Sequence, residues 1–195
     1  MGLIDDLTRA PLIAAAETGV TGAPGLEFAQ KAFITSHGRL LLIRKSGSDP
    51  HHPGRWEVPG GRLKVRGDLD LDHHIRREVR EEVGLKIEPG PPFHLWEWSM
   101  PASGAGGLRV GRVRVVAVAR TCTPVTPSPA PERPPHLTTG DQMPDDHLSE
   151  VAWVPIDDLS GYELIPALRP VIQDFLRLAR NHPHHTGHSG ADHAR

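Results

Sequence analysis

The sequence predicts an α/β domain, a mixed β-sheet covered by helices on both faces, and three observations carry that expectation. Runs with strand-like alternation or β-branched enrichment are interleaved with two segments of helical period. These do not follow the regular strand-helix-strand repeat that an all-parallel sheet needs, and no internal repeat is visible. Finally, 195 residues, of which 37% are hydrophobic, are enough for one globular unit with a real core.

Taken in order, Leu26 to Thr35 and Arg39 to Arg44 run apolar around the turn signal His37-Gly38, which predicts a hairpin. A loop with Gly47, Pro50, Pro53 and Gly54 leads to a short strand, Trp56-Glu57-Val58, stopped by Pro59-Gly60-Gly61. The clearest helix spans 70–83: Asp70 is its expected N-cap and Gly84 stands where a left-handed residue ends a helix. Leu71, Ile75, Val79 and Val83 make its apolar stripe, and Glu78, Glu81 and Glu82 share an adjoining edge. Phe93 to Ser99, with Trp96 and Trp98 on one face, and the β-branched run Val110 to Thr121 read as strands. Prolines 124, 127, 129, 131, 134, 135 and 144 forbid helix or ladder, so 123–146 is expected to be a long surface excursion. Val151 to Val154 is a short strand, Pro155 to Leu159 a helical turn, and Leu168, Val171, Ile172, Phe175, Leu176 and Ala179 mark a last helix with Pro170 in its first turn.

Composition excludes several classes of function. With 22 basic and 24 acidic side chains, nothing favours nucleic acid or anionic lipid as the main partner. A lone cysteine, Cys122, allows neither an internal disulfide nor a cysteine zinc site. Asp5 and Asp6 stand where a signal peptide carries basic charge, and the apolar run from Pro11 to Ala16 is too short to span a bilayer, so the expectation is a cytoplasmic protein with no membrane partner. The closing stretch from Asn181, rich in histidine and poor in apolar residues, is expected to be a mobile tail.

The chemistry concentrates on one helix. Glu78, Glu81 and Glu82 stand at i, i+3 and i+4, where like charges repel by a few tenths of a kcal/mol per pair, so a compensating partner is expected. An acidic face solvated by water is one reading. The other is a site for hard divalent cations, which bind carboxylate oxygen, water and substrate phosphate.

The run Arg77-Glu78-Val79-Arg80-Glu81-Glu82-Val83-Gly84-Leu85, reached from Trp56-Glu57-Val58-Pro59-Gly60-Gly61, resembles the Nudix hydrolase signature and matches every fixed position of its second half. The first half departs from the pattern. Leu63 and Leu69 stand where a glycine and a glutamate are expected, and Lys64 where many relatives carry an acid. Gly61 and Asp68 restore the pair if one residue is added on each side. The resemblance covers about 27–180, leaving 1–26 as an N-terminal extension, 123–146 as a proline-rich insert and 181–195 as a histidine-rich tail.

What the resemblance implies is a Nudix-type α/β/α sandwich with a mixed β-sheet, using Mg2+ or Mn2+ to cleave a pyrophosphate bond in a nucleoside diphosphate linked to another group. The partner is then a small nucleotide diphosphate derivative, and a homodimer is allowed for. Glu78, Glu81 and Glu82 would hold the metal together with the Gly61 carbonyl, while Arg77, Asp68 and Gly60 would support the loop, Arg77 by pairing with Asp68 or Glu81. For the general base, Glu82 competes with Asp145, Asp146 and Glu150, and Glu150 is expected near the helix glutamates. Arg44 and Arg55, with Arg112 and Arg114, offer guanidinium groups to phosphate or remain surface arginines. Trp98, with Trp96 and Phe93, offers a ring to a base or a place in the core. The competing reading is a Nudix fold that senses a nucleotide metabolite without cleaving it, suggested by the altered first half and the long insert.

Overall fold

The turn at His37-Gly38, both residues at positive φ, closes the expected hairpin of β1 (Gly25–Ser36) and β2 (Arg39–Lys45). The computed structural model describes residues 25–63, 70–101, 112–125 and 147–181. Asp68, Asp145, Asp146, residues 1–24 and the greater part of the proline-rich insert and histidine-rich tail lie outside them. The chain continues through β3 (Trp56–Glu57), α1 (Leu71–Val83), β4 (Ile87–Pro101), β5 (Arg112–Pro124) and β6 (Leu148–Pro155). Two 3-10 turns, Ile156–Gly161 and Pro166–Leu168, precede α2 (Arg169–Asn181).

These strands make one mixed sheet of six, ordered β3-β2-β1-β5-β4 with β6 added against β2. β1 and β5 are parallel over ten residue pairs, Gly25↔Val113 to Ile34↔Cys122, whereas β4 and β6 pair antiparallel with their neighbours. β6 follows β2 along its length; the other edge of β2 is shared, by β1 at Arg39 and Leu40 and by β3 at Ile43 and Arg44. β1 therefore leaves β2 after two pairs, and the sheet opens there.

The helices cover opposite faces, as the alternation of the strands requires. Ile75, Val79 and Val83 of α1 pack on Ala32, Ile34, Leu41, Ile43, Ile87 and Trp153. Leu168, Val171, Ile172 and Phe175 pack on Phe33, Leu40, Leu42, Ala119 and Val154. Phe33 joins Phe93 edge-on and Phe175 at a tilt, with centroids 4.9 and 5.1 Å apart. The Asp70 carboxylate accepts the His73 N–H at 2.6 Å, and Gly84, with φ 69°, returns its N–H to the Arg80 carbonyl, so both ends of α1 are capped as predicted.

Three strands depart from their expected bounds. β6 begins at Leu148 rather than Val151, and β5 runs on through Thr123 and Pro124, inside the expected excursion, where Pro124 forms the last pair of the ladder and so interrupts nothing beyond it. β4 begins at Ile87, ahead of the expected Phe93, and runs through Pro89, Pro91 and Pro92. It lies at the sheet edge and its register shifts between Pro89 and His94, so the prolines fall where missing N–H groups and irregular pairing are tolerated.

Candidate active site

Where β1 parts from β2, the segment 59–63 takes its place. The Ala32 N–H donates to the Pro59 carbonyl at 2.8 Å, Gln30 N–H to Gly61 at 3.0 Å, and Leu63 N–H to Phe28 at 2.8 Å. Only glycine can take this path at residue 60: φ is +125°, and a Cβ there would stand 2.2 Å from the Gln30 carbonyl oxygen. At residue 61 the constraint is a side chain, since a Cβ would meet Glu78 Oε2 at 2.1 Å. The missing side chain is thus the space in which the Glu78 carboxylate lies against the loop.

The three glutamates of α1 end in different surroundings. Glu82 is buried, and its carboxylate accepts the Gly60 N–H at 2.8 Å. Burial pushes its pKa up to about 8, against the pull of the nearby Lys31 ammonium and the Gly60 N–H. Glu78 and Glu81 share one cation: Arg77 reaches Glu78 and Glu81 at 2.7 Å each. This is the compensation the i, i+3, i+4 spacing calls for; of the partners expected for Arg77, Glu81 is brought to it, along with Glu78, while Asp68 lies outside the described residues.

A second layer, built from residues the sequence did not single out, holds this arrangement. Lys31 is nearly buried; its ammonium donates to the Gly60 carbonyl at 2.9 Å and to Glu57. Glu57 also pairs with Lys45 at 3.1 Å. Burial alone would raise the Glu57 pKa, but the two ammoniums outweigh it and hold the carboxyl at about 2. Lys45 is in turn raised, its burial outweighed by Glu57 and Glu82. Behind Glu78, the Gln30 amide nitrogen donates to the Leu71 carbonyl at 2.7 Å and faces His74 Nδ1 at 2.9 Å. A carbonyl can only accept, so this pairing fixes the amide orientation, makes His74 Nδ1 an acceptor and leaves its proton on Nε2, 3.7 Å from Glu78 Oε1. The signal for this layer was the polar pair Gln30-Lys31 interrupting the apolar run from Phe28 to Ile34.

Other expected site residues fall elsewhere. Glu150 pairs with Arg44 at 3.3 Å, and the register Arg44↔Glu150 continues Leu42↔Ala152 and Leu40↔Val154. Those pairs belong to the α2 side, so Glu150 lies on the face away from α1, and the structure brings it to Arg44 rather than to the helix glutamates. Arg44 also donates to the Gly54 carbonyl and lies 5.7 Å over the Trp56 ring, on the same face. Arg55 sits 3.9 Å from Glu163. Arg112 donates to the Ser99 carbonyl and Arg114 pairs with Glu97. Trp98, half-buried, packs beside Trp96 against the cluster of Ala29, Val113, Val115 and Ala117.

The donors around the loop are carboxylate and carbonyl oxygens, the set that suits a hard divalent cation, and the space at Gly61 brings one of those carboxylates onto the loop. Among the described residues no group of three or more His, Cys, Asp or Glu converges as a ready metal cage, consistent with Arg77 lying between Glu78 and Glu81. The Gly61 carbonyl already accepts the Gln30 N–H, so ligation there would use its remaining lone pair. No described helix is long and apolar enough to cross a membrane.

Comparison with known proteins gives concordant results. Residues 29–178 match the model of the NUDIX domain. The chain is 26% identical over 140 residues to "Putative 8-oxo-dGTP diphosphatase 2" of Mycobacterium tuberculosis, covering 72% of this chain and 82% of that protein. Among solved structures, the MutT protein of Methanosarcina mazei Go1 superposes with a TM-score of 0.57 at 21% identity, over 82% of this chain and 99% of that one. The MutT NUDIX hydrolase of Burkholderia pseudomallei superposes with a TM-score of 0.54 at 23% identity, over 76% of this chain and 97% of that one.

Proposed function

The chain belongs to the Nudix hydrolase family, and we propose that it cleaves the pyrophosphate bond of a nucleoside diphosphate linked to a further group, a nucleotide, nucleotide sugar or ADP-ribose type of substrate, with Mg2+ or Mn2+. The observation that carries this reading is the seating of two signature carboxylates on the glycine loop, Glu82 on the Gly60 N–H and Glu78 in the space left by Gly61. Glu78, Glu81 and Glu82 would hold the cation, with the Gly61 carbonyl as a further oxygen. A divalent ion bound there neutralises the pyrophosphate and lowers the pKa of the attacking water.

The residues of the chain do the positioning. Arg77 holds Glu78 and Glu81 in register along α1, and Gly60 ties Glu82 beneath the loop, so the carboxylates are ordered before substrate arrives. Asp68 is assigned to supporting the loop on the signature alone. As general base we assign Glu82; the contacts of Glu150 fit better a role beside Arg44 towards the remainder of the substrate. Arg55 is assigned to substrate phosphate and Trp98 to the flank of the base only as secondary contributors, since each already has protein contacts.

The test is incubation with a panel that includes nucleoside diphosphate sugars, ADP-ribose, dinucleotides and 8-oxo-dGTP, the last because a relative is named for it, each with Mg2+ or Mn2+, with products resolved by chromatography. Cleavage of at least one member, abolished by Glu81→Gln, is expected. Tight binding without cleavage across the panel would overturn hydrolysis in favour of a metabolite sensor.

A further inference from the structure

His74 stands on the buried side of α1, one turn before Glu78 and beside the apolar Ile75. It meets Gln30 of β1 there, and both side chains are closed to solvent, at 0% and 1% exposure. The Gln30 amide nitrogen donates to the Leu71 carbonyl at 2.7 Å and to His74 Nδ1 at 2.9 Å, which uses both amide hydrogens and leaves the imidazole proton on Nε2. Gln30 Oε1 has no hydrogen-bond partner among the described residues. An apolar pair would fill the same space without leaving a buried acceptor unsatisfied, so packing does not account for these two side chains. The direction of the donors does point somewhere. His74 Nε2 faces Glu78 Oε1 at 3.7 Å, the same oxygen that Arg77 reaches at 2.7 Å. The second oxygen, Oε2, lies on the glycine loop, 2.1 Å from where a Cβ of residue 61 would stand. Glu78 therefore turns one oxygen to the protein and the other to the loop.

Resting on the metal-dependent reading above, we propose that His74, oriented by Gln30, is a positioning residue for Glu78: its Nε2–H backs Oε1 and keeps Oε2 at the glycine loop as the oxygen offered to the divalent ion. A separation of 3.7 Å is longer than a hydrogen bond, and bonds that support a reacting site are often long until the ligand arrives and tighten in the complex. Groups behind a metal-binding side chain orient it in this way and raise the affinity of the site without touching the ion. A neutral N–H suits the task better than Arg77, because it supports the carboxylate without setting a positive charge beside a cation. Gln30 fixes both the tautomer and the ring from the sheet, so the aim of Glu78 is tied to β1 as well as to its own helix. His74 touches neither substrate nor ion in this scheme, and the reaction takes no proton from it.

The experiment compares the full chain with its His74→Leu and His74→Gln variants by Mn2+ titration followed by electron paramagnetic resonance. Beside it, the histidine rings of the wild type are followed by long-range nitrogen–proton NMR correlation as Mg2+ is added. His74 is expected as the Nε2–H tautomer, with the Nε2 signals moving on Mg2+ binding. His74→Leu should weaken Mn2+ binding by about 10- to 100-fold, and His74→Gln, which still carries an N–H donor, should recover most of that loss. If His74→Leu does not fold, the Mg2+ titration of the wild type decides alone. An Nδ1–H tautomer, or Nε2 signals indifferent to saturating Mg2+, would overturn the proposal. Equal losses of affinity in both variants would make His74 a packing residue and overturn it as well. Unchanged affinity in His74→Leu removes the proposal and leaves the metal-dependent reading standing, whereas a wild type that binds neither ion refutes both.

Discussion

Gly61→Ala tests the contact between loop and helix at its narrowest point. The new Cβ would stand 2.1 Å from Glu78 Oε2 and 2.8 Å from its Cδ. To reach an ordinary contact of 3.4 Å the carboxylate oxygen must retreat by about 1.3 Å, the difference of the two distances. The displaced atoms are the far end of a flexible side chain and residue 61 is not in the left-handed region, so folding should lose only about 1 kcal/mol. Turnover is more sensitive: misplacing a catalytic carboxylate by about 1 Å costs on the order of 100-fold. Gly60→Ala is the contrast, because its Cβ would meet the Gln30 carbonyl oxygen at 2.2 Å with φ at +125°, and the atoms it meets are backbone of β1 rather than the end of a flexible side chain. That variant should lose more than about 3 kcal/mol. Steady-state hydrolysis of the substrate found by the panel, beside melting curves for both variants, reads the two effects separately. A Gly61→Ala protein with full turnover would refute the role given to the Glu78 seat, and a Gly60→Ala protein as stable as the wild type would refute the backbone argument.

Two buried carboxylates also predict opposite slopes of stability with pH in metal-free protein. Glu82 has a folded pKa of about 8 against 4.5 as its reference, so the native state binds the extra proton between those values and stability falls as pH rises through that window. Glu82→Gln should remove this decline, raise the Tm in EDTA at pH 7 to 8, and lower turnover by orders of magnitude; a lower Tm in EDTA, or full activity, would contradict the assignment. Glu57 behaves in reverse: its folded pKa of about 2 lies below the reference of 4.5, so its contribution is complete above pH 4.5 and is lost as pH falls towards 2. Glu57→Gln, which leaves Lys31 without its buried carboxylate, should cost about 3 to 5 kcal/mol at pH 7 and flatten the acid limb of the Tm profile. An unchanged acid limb in that variant would place the acid sensitivity elsewhere.

The elements and the signature were legible in the sequence because their signals are local. Asp70 and Gly84 cap α1 through bonds to residues within one turn, and the spacing of Ile75, Val79 and Val83 reports a buried face whatever it packs against. Arg77, Glu78, Glu81 and Glu82 are placed relative to one another by the helix alone. The early start of β4 was not legible, since the prolines at 89, 91 and 92 are compatible with a strand only at a sheet edge, and edge position is a property of strand order. Tertiary structure likewise decided which way each acid faces. Glu82 turns inward because the sheet opens where β1 leaves β2 and the glycine loop fills the gap, whereas the parity of β6 against β2 sends Glu150 to the far face, beside Arg44. Lys31 and Glu57 lie 26 residues apart in the chain and meet only because that opening joins β1 to the end of β3. Their charges acquire meaning from burial and proximity, and neither is written in the order of the residues.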